Sequence, residues 1–187
     1  ILNCFLFEIT NGNLTVTASD TENLMRSTID LDECDGEGSF CVNNTTILSA
    51  IKELAEQPVT FDIDPDTLRM SILYLNGVYN IVALSAEEYP RAIEMQGDEQ
   101  EFTIESEVLA NGVSRGLFAT ANDELRPVMN GIYFDLKPEA AYLAATDGHK
   151  LVRTTVPSIT FEQETGFVLP KKPAILLKNV LKKDDST

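Results

Sequence analysis

Histidine, cysteine and basic side chains are all scarce in this chain. It has a single histidine, His149, and three cysteines, Cys4, Cys34 and Cys41, none of them in a Cys-x-x-Cys pair. An odd set of irregularly spaced thiols makes no disulfide framework and suits a reducing compartment. No apolar run approaches the roughly 18 to 20 residues needed to span a bilayer as a helix, so no membrane partner is expected. Phosphate-cradling motifs of the GxxxxGK[ST] or GxGxxG kind are missing, as is a GxSxG nucleophile elbow. Asp30-Leu-Asp32-Glu33-Cys34-Asp35-Gly36 begins like a calcium loop but carries Cys at the third ligand position and Asp where Gly is required. The alternating Asp62, Asp64 and Asp66 lack the closing Gly and Glu. Both clusters read as exposed turns, with no metal and no cofactor implied.

What remains is an ordinary globular composition, 43% apolar and 24% charged, with 14 basic against 30 acidic residues and a net charge of −16. Such a balance argues against nucleic acid, because binding DNA means neutralising phosphates. The distribution qualifies that argument. Half of the 14 basic residues lie between positions 150 and 183, as Lys150, Arg153, Lys171, Lys172, Lys178, Lys182 and Lys183, opposed there only by Glu162 and Glu164. A local basic patch sits on an acidic protein.

The chain also repeats itself. Asn3, Phe7, Ala18, Asp20, Leu24, Arg26, Thr28 and Phe40 recur as Asn130, Phe134, Ala145, Asp147, Leu151, Arg153, Thr155 and Phe167, every pair separated by the same interval. That interval exceeds the periods of about 20 to 50 residues found in solenoids and matches a whole domain. One domain has been duplicated. The second copy has a long lead, Tyr89 to Pro127, that the first lacks, and counterparts of Val59 to Leu84 are mostly missing from the second, so the chain reads as an internal piece of a longer protein.

Within each copy the pattern is mostly strands. Asn3 to Ile9 and Leu14 to Ser19 flank Asn11-Gly12, and Leu68 to Leu75 and Val78 to Leu84 flank Asn76-Gly77; both pairs predict type I′ hairpin turns. Asn43/Asn44 cap a helix with Ile47, Ala50, Ile51 and Leu54 inward and Ser49, Lys52 and Glu53 outward. Lys172-Pro173 opens its counterpart, with Ala174, Leu177, Val180 and Leu181 inward. A third helix, Glu105 to Phe118, buries Leu109, Val113 and Leu117, shows Asn111, Ser114 and Arg115, and carries Gly112 and Gly116, which would permit close helix packing. Each complete unit is a βαβββ motif used twice, an α+β domain with helices gathered on one face of antiparallel sheets.

Leu125-Arg-Pro-Val-Met-Asn-Gly131, Ala145-Thr-Asp-Gly-His-Lys-Leu151 and Leu169-Pro-Lys-Lys-Pro-Ala174, in this order and spacing, closely resemble the middle domain of the bacterial DNA polymerase III β subunit family of sliding clamps. Ile1-Leu-Asn-Cys-Phe-Leu-Phe-Glu8, Ala18-Ser-Asp-Thr-Glu22 and Glu88-Tyr89-Pro90 resemble stretches of its first domain. The resemblance implies a DNA-clamp fold with clamp domain I at 1–92, its first strand and helix missing, and clamp domain II at 93–187, its last strands missing, the third domain being absent. It further implies a head-to-tail homodimeric ring with sheets outside and helices lining a channel around double-stranded DNA, non-catalytic and cytoplasmic near the nucleoid. Acid outside and base inside reconcile the charge with DNA.

On that resemblance Lys171 and Lys172 match the family's basic pair before the inner helix. Lys52, Arg115, Lys178 and Lys182 join them at the channel on helix-face reasoning alone. Asp123 and Pro127-Val128 depart from relatives that carry an amide and two aromatics in this DNA-facing loop. Met129, Thr146, Gly148, His149, Lys150 and Leu151 are the implied half of an apolar pocket for short peptides from the replicative polymerase subunit, the clamp loader and repair proteins; the other half belongs to the third domain. Lys150 stands where relatives often carry Arg. The residues alone leave two other readings open. One is an enzyme with His149 as base, Asp147 as orienter and a distant Ser or Cys4 as nucleophile; the other is an acidic protein-interaction module with no DNA role.

Overall fold

Alternation of apolar and polar residues gives most of the strands one face to bury, and the hairpins close where the backbone can turn sharply. In the computed structural model, which describes residues 1–20, 22–90 and 103–181, the chain forms two units, Ile1–Gln96 and Gly97–Thr187. The first contains β1 (Cys4–Thr10), β2 (Asn13–Ser19), β3 (Leu24–Asp30), β4 (Gly38–Asn43), α1 (Asn44–Lys52), β5 (Thr60–Ile63), β6 (Arg69–Tyr74), β7 (Gly77–Val82) and β8 (Leu84–Ser85). Its sheets run β3-β2-β1-β4-β8 and β5-β6-β7. The second contains α2 (Ser106–Leu117), a 3₁₀ turn (Pro127–Met129), β9 (Gly131–Leu136), β10 (Ala141–Thr146), β11 (Leu151–Val156), β12 (Thr165–Pro170) and α3 (Lys171–Leu181). Its sheet runs β11-β10-β9-β12. Both four-strand sets place the third strand beside the second, the second beside the first and the first beside the fourth, all antiparallel. The duplication in sequence is a duplication of topology, in the α+β class expected.

The first hairpin is a type I′ turn, with Asn11 at φ 53° and Gly12 at φ 77°. The second expected turn is different. Tyr74 pairs with Gly77, so the turn residues are Leu75 and Asn76, neither with positive φ, and Gly77 is already in the strand. Its position is fixed from outside, by the Gln57 side chain accepting the Leu75 N–H at 2.9 Å. An Asn-Gly pair sets a turn only when register leaves it between the strands.

Helix α1 starts where Asn43 accepts the Thr46 N–H at 3.1 Å, an ordinary side-chain N-cap. It buries Ile47 and Ala50 against Phe7, Phe40, Val42, Met70 and Ile72. Ile51, expected inside, is exposed, as is Val180 on α3; the inward stripe of each helix is narrower than the apolar pattern suggests. The paired glycines of α2 also act differently from expectation. A Cβ on Gly112 would come within 2.8 Å of Leu143 Cδ2, and one on Gly116 within 2.9 Å of Ile132 Cδ1. They let the helix approach the sheet rather than another helix.

Stacked phenylalanines mark the equivalent core positions. Phe7 and Phe40, cross-strand partners, lie 5.5 Å apart and nearly parallel, with Phe61 edge-on to Phe7; Phe134 and Phe167 repeat the stack at 4.9 Å. Phe40 is 4% exposed and Phe167 is 42% exposed, because the second unit has, among the described residues, no counterpart of β5–β7 to cover it. Beneath the first unit's other edge Cys4, Cys41 and Tyr89 cluster, and the buried Tyr89 hydroxyl donates to the Thr17 carbonyl at 3.1 Å. Burial, reinforced by Cys4 nearby, pushes the Cys41 thiol up to about 11. Phe40→Ala should cost about 3–5 kcal/mol, the usual range for emptying a buried aromatic site, and Phe167→Ala markedly less. Urea unfolding of the two variants followed by circular dichroism checks this; equal losses would mean that Phe167 is as well packed as its counterpart.

Candidate functional site

An aspartate that opens a turn can fold it from within, and this chain uses that device at equivalent places in both units. Asp20 Oδ1 accepts the N–H groups of Glu22 at 3.1 Å and Asn23 at 2.7 Å. Asp147 Oδ1 accepts those of His149 and Lys150, each at 3.0 Å. The backbone of the two turns is alike; the side chains that it displays have diverged. In the second unit Gly148 adopts φ 89°, a conformation that costs glycine nothing, and Thr146 accepts the Gly148 N–H and donates to the Lys150 carbonyl at 2.7 Å. Lys150 Nζ reaches back to Asp147 Oδ2. That ion pair, followed by the two backbone N–H groups, holds the Asp147 carboxyl far below the usual carboxylate range.

The result is a rigid platform carrying an apolar tip. Gly148, His149, Lys150 and Leu151 are exposed, Leu151 at 71%, with Thr146 half-buried at the end of β10. Met129, half-buried, ends the 3₁₀ turn before β9, where its carbonyl accepts the Ala121 N–H. The two segments meet through a residue that the sequence reading did not select. Arg126 Nη1 lies 3.4 Å from the place where a Cβ on Gly148 would stand. The only sequence signal for it was its place in Leu125-Arg-Pro, next to the exposed Leu125 and Val128. Asp123 pairs with Arg126 at 2.7 Å, and that guanidinium lowers the Asp123 carboxyl.

The residues expected at a DNA channel lie on helices. Lys52 is exposed in the last turn of α1. In the second unit α2 and α3 are neighbours, α2 over β9, β10 and β11 and α3 over β9 and β12. Arg115 and Lys172 are exposed there, and Lys171 and Lys178 are half-buried. Lys171 opens α3 with its N–H on the Asn130 carbonyl at 2.8 Å and its Nζ 3.3 Å from Asn122 Oδ1. Lys182 lies outside the described residues. Arg115, Lys171, Lys172 and Lys178 thus share one pair of adjacent helices, while Lys52 belongs to the other unit. For the hydrolytic reading the outcome is poor: Cys4 is buried in the core, and Asp147 is committed to its own turn. Among the described residues no group of three or more His, Cys, Asp or Glu could hold a metal ion.

Residues 1–94 match the family model described as DNA polymerase III beta subunit, N-terminal domain, and residues 103–187 match that of its central domain. The chain belongs to the DNA polymerase III beta subunit family. It is 27% identical over 182 residues to the beta sliding clamp of Halalkalibacterium halodurans, covering 92% of this chain and 47% of that protein. Among solved structures, the DNA polymerase III beta subunit of Thermotoga maritima matches with a TM-score of 0.84 and 29% identity, over 100% of this chain and 50% of that one. The beta subunit of Pseudomonas aeruginosa matches at a TM-score of 0.88 and 22% identity over 99% of this chain and 51% of that one, which supports the fold. The chain spans about half the length of the curated relatives it matches.

The lowered Asp147 carboxyl has a definite acid signature. A carboxylate stabilised in the folded turn contributes fully above the ordinary aspartate range, and that contribution drains away as pH falls from there to its lower folded-state value. The amide resonances of His149 and Lys150 should therefore keep their folded shifts at pH 4 and move only below it. A titration midpoint near the ordinary aspartate value would refute the pairing, and Asp147→Asn should abolish the transition.

Proposed function

We propose that this chain is the first and middle domains of a bacterial sliding clamp, with the boundary at residues 92/93, acting as the processivity factor of the replicative polymerase. The carrying observation is that an acidic chain gathers Arg115, Lys171, Lys172 and Lys178 on the adjacent helices α2 and α3. A ring of such helices would hold duplex DNA by topology. Few phosphate contacts would then be needed, none would read sequence, and the ring could slide. A polymerase tethered to it stays at high effective concentration near the primer end.

In this reading the protein is non-catalytic, cytoplasmic and, at full length, a head-to-tail homodimer. Lys52 of domain I, and Lys182, which lies outside the described residues, are the remaining residues assigned to the channel in this reading. Met129, Thr146, Gly148, His149, Lys150 and Leu151, with Arg126 beside them, form one wall of a peptide pocket used by the polymerase subunit, the clamp loader and repair proteins. A platform made rigid by its own aspartate loses little entropy when a peptide docks, and the exposed Leu151 supplies an apolar anchor site. The distribution of charge, not its balance, supports this assignment over an acidic interaction module, because the cations are concentrated on one helix pair.

In the full-length parent protein, Leu151→Asp with His149→Ala should abolish binding of a fluorescent peptide rich in Leu and Phe; retained binding would refute the pocket. Lys171→Ala with Lys172→Ala should leave the peptide bound but lower the salt slope of DNA association by about one for each phosphate contact removed and shorten the products of primer extension. Unchanged products would argue against the channel assignment. The 187-residue chain itself should give no closed ring in size-exclusion chromatography with light scattering.

A further inference from the structure

The loop before β9 is built on the same plan as the 147–150 turn. Asp123 Oδ1 accepts the N–H groups of Leu125 at 2.9 Å and Arg126 at 3.2 Å. Its Oδ2 takes Arg126 Nε at 2.8 Å and Nη2 at 2.7 Å. Asn130 brackets the same residue, accepting the Asp123 N–H at 2.8 Å and donating to the Asp123 carbonyl at 2.9 Å. Asp123 therefore has its backbone and both carboxylate oxygens engaged.

Two contacts to one carboxylate oxygen, from Nε and Nη2 of a planar guanidinium, fix where the fork points in a way that a lysine ammonium could not. The nitrogen left over, Nη1, is the one that stands against Gly148. We propose that Asp123 is a positioning residue for the peptide pocket: it holds Arg126 against the tip of the 147–150 turn, so that Nη1 offers its N–H groups to an acceptor oxygen of the bound peptide. The proposal rests on the peptide-pocket reading above. It gives a purpose to the carboxylate that replaces the amide of relatives at this loop. A carboxylate facing DNA is repelled by phosphate, whereas one locked to Arg126 is spent on the pocket.

The test uses the full-length parent protein and a fluorescent peptide rich in Leu and Phe. Asp123→Asn keeps an acceptor for the Leu125 and Arg126 N–H groups, so the turn survives, but removes the charge that aims the guanidinium. It should weaken the peptide about fivefold, in keeping with a half-exposed ion pair, and shift the Arg126 Nε–H resonance. Arg126→Gln should weaken it at least as much, and adding Asp123→Asn to Arg126→Gln should cost nothing further, since both act through one group. A full loss from Asp123→Asn in the Arg126→Gln background would overturn the proposal by showing that Asp123 acts on the loop alone. Wild-type affinity in Asp123→Asn, with binding abolished in Leu151→Asp, would overturn the positioning role while leaving the pocket intact. Unaltered binding in Leu151→Asp would remove the pocket and the proposal with it.

Discussion

The stack of Phe7 on Phe40 is the contact on which the first unit depends, and Phe134 on Phe167 repeats it, less covered, in the second. It joins the first strand of a hairpin set to the fourth, which the chain reaches only after two intervening strands, and it sits on the face that the helix covers. Because side chains alternate across a strand, fixing that pair fixes the register of the whole sheet and decides which residues face outward. The turns at Asp20 and Asp147 then project from matching corners. A shift of one residue would bury Tyr133 and Arg153 in place of Phe134 and Val152, so the core and the exposed surface are settled together.

On that scaffold the second unit combines two kinds of surface. Helices α2 and α3 present cations, and the loop leaving α2 carries Asn122 toward Lys171 and Asp123 toward Arg126 in consecutive residues. A single short segment therefore touches both the helix pair and the 147–150 turn. Its own hydrogen bonds, through Asp123 and Asn130, tie it down without a large core. In the first unit the corresponding turn keeps the aspartate but has Asn23 where the second has Lys150, and Asn23 bonds to Asp20. The corner is retained as structure in one copy and elaborated in the other.

Most of this was legible in the amino-acid order because it rests on periodicity and repetition. The duplication, the sheet-forming segments and the cap at Asn43 follow from local chemistry and from comparing the copies. What the sequence hid was of another kind. The turn at Leu75-Asn76 depends on pairing register and on Gln57, neither visible in the dipeptide. Ile51 and Val180 are apolar yet exposed because burial depends on what lies opposite, and a helix pattern names only its own face. Arg126 escaped notice for a similar reason: its partner Asp123 is local, but its contact with Gly148 is made by the fold.

The hydrogen bond from Tyr89 to Thr17 spans 72 residues of chain and is made in the core. Such a closure is the slowest kind of contact to form, since a long loop must be drawn in before any reward is gained. On the ribosome the first unit can assemble its early hairpin as β1 and β2 emerge, but that corner stays open until Tyr89 is synthesised, several seconds later at about 5–20 residues per second. During that interval the thiols of Cys4 and Cys41, sealed in the finished fold, are within reach of solvent. The nascent domain is thus chemically more vulnerable than the mature one.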